Sequence, residues 1–391
     1  MAVGEQASPS GSAPAEPSAG RDLYVDLLRA GSLLVVVVWH WVFNLVYRDD
    51  TSVSATNPIG TTRGMWLLTW VLQVMPVFFI VGGFIHGRVL ERDGRWWPFV
   101  SRRVRQLLVP ASALIGVFVV AQVVAAQLDA PGWVSDGLWL VVSPLWFLAV
   151  YLLLVVVAPM AHAAHRRAGP LAVVLLAGGS VLVDVARFNV LRDHVGVWVW
   201  LSMLAVWGFV HQLGFFFGEI RELSTRSQEA IALAGFFVLI GLTNMNLYPR
   251  SLVGVPGERL SNMGPPTLAV CALAVLQLGV VARLERVVAP RLSGPRLRSF
   301  VGWSSRWSML VFLWHMPGYA AAWLTLDAVF EIPSAFTWTW WAWRPPQLAL
   351  AASFTAVFVL VAVRLSRSRP QRTSLEAAKS VATLRTTEGR M

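Results

Sequence analysis

Residues 25–41 read VDLLRAGSLLVVVVWHW, an apolar run carrying three ionisable side chains, Asp26, Arg29 and His40. A stretch of this length and apolarity is a candidate membrane-spanning helix. Ionisable groups inside such a helix are costly to keep, so their placement is informative. Arg29 and His40 are separated by ten residues. Eleven helical steps of about 100° make three turns plus roughly 20°, so both side chains share nearly one face, roughly 16 Å apart along the axis. Asp26 lies one turn before Arg29 and can pair with it. Arg29 then stands near one mouth of the span and His40 deep, past the midplane.

The rest of the chain is of the same kind. Of its 391 residues, 56% are hydrophobic and only 14% charged, with mean hydropathy +0.60; a soluble surface needs about a quarter charged. Apolar runs recur to Val363 and predict an all-α, polytopic transmembrane bundle of about ten helices, near 24–46, 65–86, 104–127, 138–158, 171–185, 195–217, 230–247, 266–288, 303–325 and 347–364. The fifth is short and carries Gly178-Gly179. Twenty Trp and 20 Phe suit aromatic belts at two interfaces. Residues 1–22, rich in Ala, Ser, Pro and Gly, read as a disordered tail. The membrane domain covers 23–365, and 366–391 form a basic, polar tail. The lone Cys271 makes neither an intrachain disulfide nor a cysteine-based zinc site.

The net charge of +11 comes almost wholly from arginine. A basic balance can signal nucleic acid, but here the arginines flank apolar segments, which speaks for membrane topology and against nucleic acid. Arg88, Arg92, Arg95, Arg102, Arg103, Arg166, Arg167, Arg221, Arg226, Arg283, Arg286, Arg291, Arg296 and Arg298 fall in one class of loop. The alternate loops are poorer: 128–137 has Asp129 and Asp136 with no basic residue, and 326–346 has only Arg344. The alternation predicts a multi-pass cell-membrane protein with both termini cytoplasmic.

Candidate chemistry follows from the same topology. Imidazole titrates near neutrality, so His40 is a candidate general base at the end of a channel whose mouth holds a cation. In SRRVRQLLVP (101–110), Arg102 and Arg105 are three apart and share a helix face; guanidinium groups there, near a helix N-terminus, suit phosphate. The plain alternative is positive-inside anchoring. His211, in GFVHQLGFFFGE, and His315, in MLVFLWHMPGY, fall inside spans, and Pro317 is expected to break the helix beside His315. Asp184 and Arg187 form an i,i+3 pair beyond the fifth helix, read as a salt bridge or, more sharply, as the lining of an acceptor site. His86, His162 and His165 fall at helix ends or in a loop. No P-loop, nucleophile elbow, zinc-protease or dinucleotide fingerprint is present, and no metal site is expected.

This pattern resembles the acyltransferase-3 family of integral membrane O-acyltransferases. The Arg-x10-His signature of its first helix is matched by Arg29 and His40, and the Arg-x-x-Arg motif at the third helix by Arg102 and Arg105. MPVFFIVGGF (75–84), PLWFLAVYLL (144–153) and LVFLWHMP (310–317) are further similar stretches. Within the second, Trp146 joins Asp26, His211 and His315 as a candidate to line the channel. The resemblance implies an acyl-CoA donor, acetyl-CoA first, entering from the cytoplasm. Arg29, Arg102 and Arg105 would hold its phosphates. His40 would act as catalytic base or transient acyl carrier, and a hydroxyl of a glycan, glycoside or other small acceptor would receive the acyl group. A transporter or permease with a midplane polar site is the alternative; the two halves show no internal repeat of the kind transporters carry.

Overall fold

The computed structural model describes residues 22–60, 62–189, 196–255, 258, 260–330, 332–333, 335 and 337–367. The expected tails, 1–22 and 366–391, lie outside these residues except for 22, 366 and 367. Local signals set most element boundaries. The Asp22 carboxylate caps α1 (Leu23–Phe43) by accepting from the Tyr24 and Val25 amides, 3.1 Å each. Asn44 ends α1, and a two-stranded antiparallel hairpin follows, β1 (Leu45–Arg48) and β2 (Val53–Thr56), with Leu45 opposite Thr56. In its turn the Asp49 carboxylate accepts from the Thr51 and Ser52 backbone and side chains. These bonds hold its pKa down to about 2, so it stays an acceptor across the physiological range.

The second membrane crossing is broken into α2 (Trp66–Leu72) and α3 (Met75–Asp93) just before Pro76, and Gly94, at φ 59°, closes α3 in the left-handed region. Then come α4 (Trp96–Gln127), α5 (Gly132–Val142) and α6 (Leu145–Ala168), the last two separated at Ser143-Pro144. The chain continues through α7 (Pro170–Asn189), α8 (Gly196–Phe215), α9 (Phe217–Glu222) and α10 (Thr225–Asn244). It ends with α11 (Leu268–Val288), α12 (Pro295–Asp327) and α13 (Trp338–Arg367). Ten helical segments among the described residues are long and apolar enough to cross a membrane. Apart from the hairpin the fold is all-α, and the chain is a multi-pass membrane protein.

Several expected boundaries move. The fifth crossing is full length: α7 runs through Gly178 and Gly179 without a break. The fourth, expected at 138–158, instead spans 132–168 with a proline break. α4 begins at Trp96, so Arg102 sits well inside the helix and away from its N-terminal amides. α12 runs through Pro317 without interruption.

α3 is the centre of the bundle and packs on α1, α6, α8 and α11. Its Phe79, Ile80 and Val81 are fully buried. By contrast α4, α7 and α13 turn side chains such as Val117, Leu182 and Leu360 outward, which in a membrane is the lipid-facing surface. α3 and α8 touch backbone to backbone: a Cβ on Gly83 would run into the His211 carbonyl, and one on Gly214 into that of Ile80.

Candidate active site

His40 lies in the last turn of α1, and α12 packed alongside brings His315 to it, His315 Nε2 standing 3.1 Å from His40 Nδ1. The tautomers follow from the neighbours. His315 Nδ1 is 2.5 Å from the Phe312 carbonyl, which can only accept, so Nδ1 carries the proton. Neutral His315 then offers a lone pair at Nε2, and His40 must donate from Nδ1. The remaining nitrogen of neutral His40, Nε2, holds a lone pair. Trp41 fixes the two helices against each other by donating from Nε1 to the His315 carbonyl, 3.0 Å.

His40 lines a cavity of about 240 Å³ with Asn44, Thr69, Gln73, Met75, Val253 and others. The break between α2 and α3 supplies one wall and the 245–267 loop another. That loop is tied down group by group. Trp70 Nε1 donates to the Arg250 carbonyl at 2.8 Å, the Leu252 amide to Thr69 Oγ at 2.9 Å, and Asn57 Nδ2 to the Gly254 carbonyl at 2.8 Å.

Asp184 and Arg187 do not line this cavity. Asp184 is buried in the last turns of α7 and accepts from the Tyr248 hydroxyl at 3.0 Å and the Leu268 amide at 2.8 Å, with Arg187 3.5 Å away. Burial and the Asp184 charge raise the Tyr248 pKa, which keeps its hydroxyl a donor. The pair therefore anchors both ends of the 245–267 loop. Asp184→Ala leaves a buried hydroxyl and amide without an acceptor and is expected to cost about 1–3 kcal/mol for each. Thermal unfolding in detergent reads this as a lowered midpoint.

At the opposite end of α1, Arg29 Nη2 meets Asp26 Oδ1 at 3.1 Å and Ser305 Oγ at 2.5 Å, while its Nε is buried with no partner among the described residues. Near this end a cavity of about 540 Å³ is lined by Arg92, Arg95, Arg102 and Arg103 together with Phe99, Gln106 and Asp93, the last paired with Arg92 at 2.7 Å. Arg105 is exposed and not in its lining. Arg103, half-buried, lies within electrostatic range of Arg29, Tyr151 and His86. It is the inward-facing arginine of the cluster, and the spacing rule that singled out Arg102 and Arg105 passed over it.

The other intramembrane candidates part company. His211 joins not His40 but His86, 3.0 Å away, and His86 is 3.2 Å from the Tyr151 hydroxyl, all three buried. Trp146 is 38% exposed and lies against Trp207 at 6.2 Å. Between the two histidine pairs stand Phe312, Phe147 and Tyr151, each in ring contact with the next.

The acyltransferase domain model Acyl_transf_3 matches residues 22–372, nearly the whole chain. The chain belongs to the acyltransferase-3 family. It is accordingly a transferase acting on acyl groups. No curated protein and no solved structure matches it. In this acyltransferase the matched region runs from the α1 cap to just past α13, so both the His40 cavity and the arginine cavity fall inside the family domain.

Proposed function

We propose that this acyltransferase moves an acyl group, acetyl in the first instance, from acyl-CoA to a hydroxyl of a glycan, a glycoside or another small acceptor. The observation that carries the reading is the His40–His315 pair, which leaves an unprotonated imidazole nitrogen beside a cavity at one end of α1, with an arginine-lined cavity near the other. Phosphates of the donor sit with Arg102 and Arg103, and Arg29, with its orphaned Nε, completes the cationic mouth. An extended pantetheine arm covers the roughly 16 Å of helix between Arg29 and His40. The acceptor hydroxyl gives its proton to His40 Nε2 as its oxygen attacks the thioester carbonyl. The C–S bond then breaks, and the leaving thiolate takes the proton back from the imidazolium. If His40 instead carries the acyl group, the same lone pair forms a C–N bond as the C–S bond breaks and the thiolate leaves; the acceptor oxygen then displaces the imidazole, and its proton goes to the thiolate. Arginine-rich loops on one face support placing that face, and both termini, in the cytoplasm of a cell-membrane protein.

Calorimetric titration of acetyl-CoA into the detergent-purified protein tests the donor side. Arg103→Ala is expected to weaken binding about 10–100-fold, the loss of charge-assisted bonds to phosphate, and Arg105→Ala by less than about threefold, as for an exposed charge. A well-folded wild type that binds no acetyl-CoA, or equal losses in the two variants, would remove this assignment.

A further inference from the structure

At the end of the bundle that holds His40, a second cavity of about 340 Å³ lies among the end of α1, β1, the end of α12 and the start of α13. Arg344 stands in its wall and is only 6% exposed. Among the described residues its partners are uncharged: Nη1 donates to Gln347 Oε1 at 2.6 Å, Nη2 to the Asn44 carbonyl at 3.0 Å, the Tyr319 hydroxyl is a further hydrogen-bond partner, and its guanidinium carbon lies 3.7 Å from the Trp340 ring centroid. Its Nε is buried with no partner among the described residues. Asp327 lines the same cavity, but it is committed to Arg48 at 2.7 Å. A guanidinium taken out of water without a counter-charge is expensive, and an anion in the cavity offsets that cost through charge-assisted hydrogen bonds.

The cavity also adjoins the His40 cavity. Asn44 lines both it and the His40 cavity, one helical turn, roughly 6 Å of rise, beyond His40. Tyr319, Trp323 and Trp343 add aromatic walls with polar edges, which suit an amphipathic ring bearing hydroxyls. We infer that this cavity is the acceptor subsite, and that the acceptor bears an acidic group, carboxylate or phosphate, received by Arg344. The word acceptor rests on the proposed function; the anion site does not.

The test is binding of methyl β-glucuronide, glucose 6-phosphate and neutral methyl β-glucoside to the detergent-purified full chain without donor. Dihexanoyl phosphatidylglycerol serves as a fourth probe, and acetyl-CoA is titrated into each sample separately. At least one acidic sugar is expected to bind about tenfold or more tighter than the neutral glycoside, the scale of a hydrogen-bonded charge. Arg344→Gln should erase that preference and Arg344→Lys keep part of it, both binding acetyl-CoA as the wild type does. Acidic sugars that bind no better than the neutral one overturn the inference, as does a preference that survives Arg344→Gln. Arg344-dependent binding of the phospholipid alone makes the anion a headgroup and also overturns it. If Arg344→Gln does not fold, the wild-type preference and its partial retention in Arg344→Lys decide. Loss of acetyl-CoA binding by the wild type sinks the transferase reading by itself and leaves the anion preference to be judged on its own probes.

Discussion

His40→Ala is expected to lower acyl transfer by about 10³-fold or more, within the range supplied by a positioned general base or a nucleophile, while acetyl-CoA binding stays within about threefold because His40 lies far along α1 from the arginine mouth. Thiol release from acetyl-CoA measures the rate; water in the acceptor position needs the same base, so basal turnover reports the loss. In the proposed mechanism His315 acts through His40 as a positioning residue, and the tautomer argument distinguishes its variants. His315→Gln still presents an acceptor to His40 Nδ1 and should retain turnover within about tenfold. His315→Leu removes that acceptor, leaves the ring held, among the described residues, by the Val36 carbonyl alone, and should cost about 10²-fold in kcat with little change in KM. Because the two histidines act as a unit, adding His315→Leu to His40→Ala should slow the reaction hardly further. Retained activity in His40→Ala would remove that residue from the mechanism. Additive losses in the double variant would separate His315 from it.

Side-chain spacing within a helix was legible in the sequence, whereas helix ends, continuity through proline and glycine, and packing between helices were not. The Arg29-to-His40 geometry needed only the helical repeat, and Asp26 pairs with Arg29 as i,i+3 spacing requires. That His40 meets His315 and that His211 meets His86 depend on which helices are neighbours, which no linear pattern states. Ending the second crossing at residue 86 puts His86 at a helix end; the Gly94 signal in ERDGR places the end at Asp93 and His86 two turns inside. Arg103 did leave a trace. Phe99, Leu107, Ala111 and Leu114 repeat at helical spacing and are inward-facing, and Arg103 falls on their stripe while Arg102 and Arg105 flank it. Starting α4 at residue 104 instead of Trp96 hid the first turns of that stripe. The hairpin was missed because its strands follow directly on an apolar run, although Asp49-Asp50 carries a turn signal.

Gly83→Val should do to the fold what His40→Ala does to the chemistry. α3 and α8 approach so closely at Gly83 and Gly214 that any side chain there meets the facing backbone, not a movable side chain. Lipid tails are as apolar as leucine, so helices in a membrane gain little by merely hiding apolar surface; close van der Waals packing is what binds them, and small residues permit it. A valine at 83 forces the helices apart at the centre of the core, and overpacking of this kind costs about 1–3 kcal/mol or more. The same displacement separates His211 from His86, whose 3.0 Å contact lies within one turn of Gly83, and leaves buried polar groups unpaired at a further cost of about 1–3 kcal/mol each. Together these approach the whole stability of a domain, commonly about 5–15 kcal/mol. The expected result is loss of a monodisperse peak in detergent and of any cooperative thermal transition. Gly178→Val is the control, since nothing stands near a Cβ at that position, and should change neither. A Gly83→Val protein that unfolds at the wild-type temperature would mean that α3 and α8 are not in backbone contact, and the placement of the His86–His211 pair would fall with it.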